Sequence, residues 1–156
     1  MKMKIRKATI KDFKTFQSLN GKLFKYDKKH DPALDLDWPF KKVGIDYYKK
    51  VLTDKDSVCF IAEDENKKSI GYVAGGITDK FGYRKAKIVE LQNIFILKKY
   101  RRQGIGRQLV KELLAWARIQ RADKFFVSTY FKDKKATSFY KKSKFKPIDL
   151  GLEQDI

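Results

Sequence analysis

Cysteine and histidine are almost missing: Cys59 and His30 are the single representatives of each in 156 residues. One cysteine cannot close an intramolecular disulfide, and with one histidine it leaves no ligand set for zinc, so no metal is expected. Cys59 stands in the apolar stretch Val58-Cys59-Phe60-Ile61-Ala62, where a buried, inert thiol is expected and not a nucleophile. Long apolar runs are missing too. No segment approaches the roughly 20 residues that cross a bilayer, and the start, Met1-Lys2-Met3-Lys4-Ile5-Arg6, lacks the apolar core of a signal peptide. A soluble, cytoplasmic protein without a membrane partner is the expectation. Acid is scarce: 19 Asp and Glu stand against 37 Lys and Arg, for a net charge of +18. Such a field attracts polyanions without choosing among nucleic acid, anionic lipid and a phosphate-rich cofactor, and solvated lysines with no dedicated partner are the plainer reading.

What is present suits a packed globule. The 42% hydrophobic and 14% aromatic content argues against disorder, and the length fits one domain spanning residues 1–156. Lys4 to Thr9 alternates like a strand, and Thr9 is placed to cap a helix bearing Phe13, Phe16 and Leu19. The stretch from Tyr26 to Phe40 has no sustained period and reads as a loop; a helix over Gly44 to Leu52 follows. Strands are predicted over 57–63, 69–78 and 87–97, joined by short polar turns as in an antiparallel meander. Leu109, Val110, Leu113, Leu114 and Ala117 recur at helical spacing within a helix over 105–121. A strand over 124–129, a helix over 133–142 and a last strand over 145–150 complete a mixed α/β pattern.

The chemistry concentrates at Ile94-Phe95-Ile96-Leu97-Lys98-Lys99-Tyr100-Arg101-Arg102-Gln103-Gly104-Ile105-Gly106-Arg107. Here an apolar strand enters a polar, glycine-bearing turn that opens a helix, where unpaired N–H groups and the helix dipole favour an anion. Gly104 and Gly106 let backbone approach a phosphate, and Arg101, Arg102 and Arg107 add charge. A Walker loop needs four residues between its glycines and a Lys before Ser or Thr, which this turn lacks. A dinucleotide fingerprint needs a third glycine where Leu109 stands. A glycine turn that caps a helix and binds nothing stays open on these residues alone.

Arg101 to Gly106 matches every position of the coenzyme A motif of the Gcn5-related N-acetyltransferase (GNAT) superfamily, which the chain resembles: Arg or Gln, two residues, Gly, one residue, then Gly or Ala. A second block, Asp133, Ala136, Phe139, Tyr140 and Phe145, is similar to that family's downstream signature, with Asp133 in place of an Asn and Lys144 in place of a Gly. The resemblance implies a mostly antiparallel mixed sheet flanked by helices, with a splayed strand pair forming an acyl-CoA cleft. It implies an N-acetyltransferase that moves an acetyl group from acetyl-CoA to a primary amine. The amides from Arg102 to Arg107, through Gln103 and Ile105, would then hold the pyrophosphate. Backbone around Phe95 and Ile96 would pair with the pantetheine arm, an amide near Ile94 would polarise the thioester, and Asp133, Ala136 and Tyr140 would meet the cofactor. A homodimer is common in such proteins.

Under the same resemblance Glu90 falls where histone-acetylating members keep a general base, and Tyr140 where a hydroxyl protonates the departing thiolate. Each has a second reading: Glu90 as a strand carboxylate paired with a lysine, Tyr140 as a packed aromatic. Asp31, Asp35 and Asp37 cluster in the loop expected over the acceptor side, where they would hold a cationic amine or pair with nearby lysines. Trp38 beside them would wall the acceptor pocket or anchor the loop. The alternative function is a basic nucleic-acid-binding or regulatory module, drawn from the net charge and from Lys134, Lys135, Lys141, Lys142 and Lys144, though no recognition-helix or stacking motif accompanies them.

Overall fold

A computed structural model describes residues 2–156. Five strands, β1 (Lys4–Lys7), β2 (Ser57–Glu63), β3 (Ser69–Thr78), β4 (Ile88–Ile96) and β5 (Lys124–Val127), lie side by side in chain order. β1 to β4 pair antiparallel and β5 joins β4 in parallel. The helices are α1 (Phe13–Asp27), α2 (Lys42–Thr53), α3 (Ile105–Ile119) and α4 (Lys134–Lys142). Thr9 does cap the entry to α1, through a capping box with Asp12 over a short 3-10 turn.

Strand alternation sorts the apolar residues into two cores, one on each face of the sheet. Val58 and Ala62 of β2, with Val73, Val89 and Leu91, pack under Leu109 and Leu113 of α3. Cys59 and Ile61, with Tyr72 and Phe95, pack under Phe16 of α1 and Tyr48 of α2. Burial pushes the Cys59 thiol up, in keeping with an inert side chain. The one polar insertion in the second core is fully satisfied: buried Asn20 donates to Tyr72 Oη at 2.8 Å and accepts from the Tyr48 hydroxyl.

Two features of the sheet position the site. Opposite Ala74 and Gly75, β4 carries an extra residue, Gln92, between Leu91 and Asn93, so the strand is bulged. The parallel pairing with β5 runs from Ile88 and Lys124 to Leu91 and Val127 and stops there, leaving residues 92–96 with no strand on that side. A cleft opens between the two strands as they part.

The strand predicted over 145–150 is not formed: those residues are outside any strand. Pro147 has no N–H to offer a ladder, and Ile148 and Leu150, which should have faced a core, are exposed. What fixes Phe145 is instead the end of α4. Phe145 N–H bonds Tyr140 O and Lys144 N–H bonds Lys141 O, with the rings of Phe145 and Tyr140 5.7 Å apart, a Schellman motif complete in bonds and in its apolar contact. Its left-handed position, normally glycine, is Lys144 at φ 72°. Lys144→Gly is therefore expected to raise stability by about 0.5–1 kcal/mol, the relief of left-handed strain less the extra freedom of the unfolded chain, read as a melting temperature a few degrees higher.

Candidate active site

The turn after β4 is built as an anion seat. Arg102 and Gly104 both take left-handed backbone, at φ 65° and 80°, which turns the chain sharply into α3. The first intrahelical bond of α3 runs from Gln108 N–H to Gly104 O, and among the described residues no partner engages the N–H groups from Arg102 to Arg107. These donors lie at the positive end of a helix 15 residues long. The two glycines serve different needs. A Cβ on Gly104 would meet nothing within 4 Å, so its requirement is the backbone angle; a Cβ on Gly106 would lie 3.1 Å from Ile96 and 3.2 Å from Phe139, so its requirement is close packing of α3 on β4 and α4. Arg101 also departs from expectation. Its Nε donates to Ile96 O at 2.8 Å and its guanidinium lies 5.2 Å from the rings of both Tyr26 and Phe95, which bolts the turn to the strand and occupies a carbonyl expected to pair with the pantetheine arm.

The groove, about 1090 Å³, runs from this turn along the parted strands. Ile94, Phe95, Ile96, Arg101, Arg102, Gly104, Ile105, Gly106, Arg107, Asp133, Ala136 and Tyr140 all border it. Gln103 is absent from the groove lining, and its side chain turns back to Lys99 O. Asp133 caps α4 by accepting from Ala136 N–H at 3.0 Å. Burial pushes the Tyr140 phenol well above its ordinary range, with Asp27 and Asp133 adding to the effect.

Other expected residues lie elsewhere. Glu90 is 6% exposed, pairs across the sheet with Gly76 and Phe126, and accepts from Lys80 Nζ; it is absent from the groove lining. Asp35 is paired with Lys41 and turns its other oxygen to the N–H of Asp37, so its carboxylate serves the loop itself; Asp37 is exposed, and neither residue borders the groove. Asp31 accepts from Ala33 N–H and lies close to Tyr130. Trp38 stacks on Phe24 with ring centres 5.4 Å apart, which anchors the loop to α1. In their place the structure brings Leu23, Tyr26 and Asp27, from the last turns of α1, to the groove wall. The bulge adds a polar row: Asn93 Nδ2 donates to Tyr47 Oη at 2.9 Å, and the Tyr47 hydroxyl donates to Gln92 Oε1 at 2.7 Å. Asn93 Oδ1 is buried with no donor.

Residues 19–145 match the family model described as the acetyltransferase (GNAT) family. The chain belongs to that family. It is an N-acetyltransferase of the GNAT type, with acetyl-CoA as co-substrate. Solved GNAT-fold structures resemble it over nearly its whole length. A mutant of BH1408 from Bacillus halodurans superposes with a TM-score of 0.85 at 17% identity, covering 98% of this chain and 99% of that one. Aminoglycoside N-acetyltransferase AAC(6')-Iy, bound to a bisubstrate analogue of CoA and acetylneamine, gives 0.78 at 17% identity over 100% and 99%. An aminoglycoside acetyltransferase from an uncultured soil metagenomic sample, in complex with sisomicin, gives 0.71 at 19% identity over 99% and 95%. At these identities the likeness speaks to the GNAT fold. No curated protein matches by sequence.

In a GNAT site the charge layout of this groove has a direction. Arg102, Arg107, Lys134, Lys135 and Lys142 border it together with the free amides of the turn, whereas Asp27 and Asp133 are its acidic members. Burial pushes the Asp27 carboxyl up to about 6; His30 and Lys29 oppose that rise and Asp133 adds to it. No group of three or more His, Cys, Asp or Glu that could hold a metal occurs among the described residues, and no helix there is long and apolar enough to cross a membrane.

Proposed function

We propose that the chain transfers the acetyl group of acetyl-CoA to a primary amine by direct attack within a ternary complex. The observation that carries this reading is the run of unpartnered N–H groups from Arg102 to Arg107 at one end of a groove whose wall also holds Tyr140. Those amides, with Arg102 and Arg107, receive the pyrophosphate of the donor. Lys134, Lys135 and Lys142 border the same groove, which supports a place for them beside the donor's phosphates and gives part of the +18 charge a use other than nucleic acid. The unpaired edge of β4 takes the pantetheine arm as a further strand, with the carbonyl of Ile96 already committed to Arg101. A backbone N–H near Ile94 meets the thioester oxygen, where charge develops as the amine adds. Tyr140 returns a proton to the departing thiolate.

Release of free thiol in the presence of acetyl-CoA and a panel of primary amines is the direct test. Absence of thiol release together with absence of coenzyme A binding by calorimetry overturns this reading.

In this scheme Glu90 receives the amine's proton at one remove. It alternates with Val89 and Leu91, which face the α3 core, so it shares a face with Gln92 and stands near Tyr47. A water-linked route along Gln92 and Tyr47 would join it to the groove. Glu90→Gln is expected to lower kcat by roughly tenfold, less than the usual hundredfold or more for acid–base catalysis because contact is indirect. An unchanged kcat removes Glu90 from the proton path.

A further inference from the structure

Asp27 is one of two carboxylates bordering the groove, and among the described residues it forms no ion pair. Five acids elsewhere are ion-paired, Asp12 and Glu63 with Arg6, Asp35 with Lys41, Asp46 with Lys42 and Glu90 with Lys80, and the other groove carboxylate, Asp133, lies 3.4 Å from His30. Asp27 is half-buried and, with 37 Lys and Arg in the chain, still has no such partner among the described residues. Its neighbour Lys29 does not fill the gap, because that ammonium sits 4.1 Å above the ring of Tyr26. Asp27 is also the last residue of α1, where the negative end of the helix dipole and the loss of water both disfavour an anion. A second acceptor, Asn93 Oδ1 on β4, is buried without a donor in a residue that borders the same groove. Two unmatched acceptors on the walls of one groove call for an occupant rich in N–H.

The reaction brings two molecules. The donor is polyanionic and its phosphates belong at the arginine end, so the negative charge of Asp27 does nothing for it. A primary alkylamine has a pKa of ~10.4 and arrives as an ammonium ion with three N–H donors. We propose that Asp27 is the counter-ion that receives the ammonium group of the acceptor and so selects aliphatic amines over uncharged ones. This rests on the acetyl transfer proposed above. Tyr26 and Tyr130 border the same groove, the Tyr26 ring already carrying the Lys29 ammonium and Tyr130 stacking on His30 with ring centres 5.6 Å apart. The groups that face Asp27 and bear on its charge are His30 and Lys29 after α1, Asp133 and Tyr140 of the α4 segment, and Tyr130 before it.

Asp27→Asn is the test. At pH 7.5 its KM for an aliphatic amine should rise tenfold or more, its KM for acetyl-CoA should stay within twofold, and Asp27→Glu should recover part of the loss. With an arylamine, uncharged at that pH, the substitution should change KM less than threefold. Below pH about 6 the wild-type KM for the aliphatic amine should climb as Asp27 takes a proton, while that of Asp27→Asn stays flat across the same range. Melting temperature at pH 7 should not fall in Asp27→Asn, since a disfavoured charge has been removed. Calorimetric binding of an aliphatic triamine to the CoA-saturated protein supplies a readout that needs no turnover, and should weaken at least tenfold in Asp27→Asn. An unchanged amine KM and unchanged triamine binding overturn the proposal, as does a triamine that fails to bind the wild type. A rise confined to the acetyl-CoA KM also overturns it and gives Asp27 to the pantetheine arm. Intact coenzyme A binding and thiol release in those cases leave the acetyl-transfer reading standing.

Discussion

Gly104→Val is expected to weaken coenzyme A binding about tenfold or more, while the protein stays folded. Gly104 sits at φ 80° and ψ −2°, and a side chain there would have open space, so the substitution brings no collision. The cost is conformational: about 1–2 kcal/mol for an ordinary residue in left-handed backbone, and more for a β-branched one. The chain can meet that cost in two ways. It can keep the turn and lose stability, or relax φ and carry the N–H groups from Arg102 to Arg107 out of convergence. Those donors have no hydrogen-bond partners among the described residues, so relaxation breaks none of their bonds and costs the ligand more than the fold. A drop in affinity larger than the drop in unfolding free energy is the expected signature in paired calorimetry and denaturant melts. Gly104→Asn makes the control, because asparagine tolerates this backbone region and should bind coenzyme A nearly as well as the wild type. Equal losses in both variants would mean that side-chain bulk and not backbone geometry governs the turn.

The same contrast shows what could be read from the residues. Element order, the limits of β2 and β3 and the start of α3 followed from periodicity and turn residues, because local pattern and tertiary pairing agree there. The strand over 145–150 fails because Pro147 offers no N–H, Phe145 falls out of the alternation of Ile148 and Leu150, and no neighbouring strand rewards the segment. Most of the positions expected to meet the donor lie together because they sit on one contiguous strand end, turn and helix start, while Asp133, Ala136 and Tyr140 reach the groove from α4 and its cap. The acceptor side was read from acidic clustering, and the cluster misled: Asp35 is neutralised by Lys41 six residues on, a pairing that loop conformation decides. Asp27 was placed in that loop although Leu19, Leu23 and Tyr26 continue the helical spacing of α1 one turn further. Following that spacing would have put Tyr26 and Asp27 on the sheet-facing side. The row of Tyr47, Gln92 and Asn93 depends on a bulge in β4, and no single-strand pattern announces a bulge that its partner strand defines.

Tyr140→Phe should lower kcat by roughly a hundredfold with little change in KM for acetyl-CoA or in melting temperature. The ring is packed: it touches Phe139 at 5.2 Å and Phe145 at 5.7 Å between centres, contacts that phenylalanine keeps. Among the described residues the hydroxyl has no hydrogen-bond partner, so its removal leaves no orphaned group behind. A purely structural Tyr140 would therefore be nearly silent to this substitution in every assay. The proposed role predicts a selective loss in the chemical step, since collapse of the tetrahedral adduct expels a thiolate that needs a proton as the C–S bond breaks. Burial, with Asp27 and Asp133 nearby, pushes the phenol up and keeps it protonated through the working range, so it is available as a donor and the wild-type rate should show no alkaline loss from Tyr140 below pH 10. Donors with a more acidic thiol leaving group should lose less in Tyr140→Phe than acetyl-CoA does, because their thiolates depart without help. A loss that is the same for every leaving group would place the hydroxyl at substrate positioning instead of proton transfer.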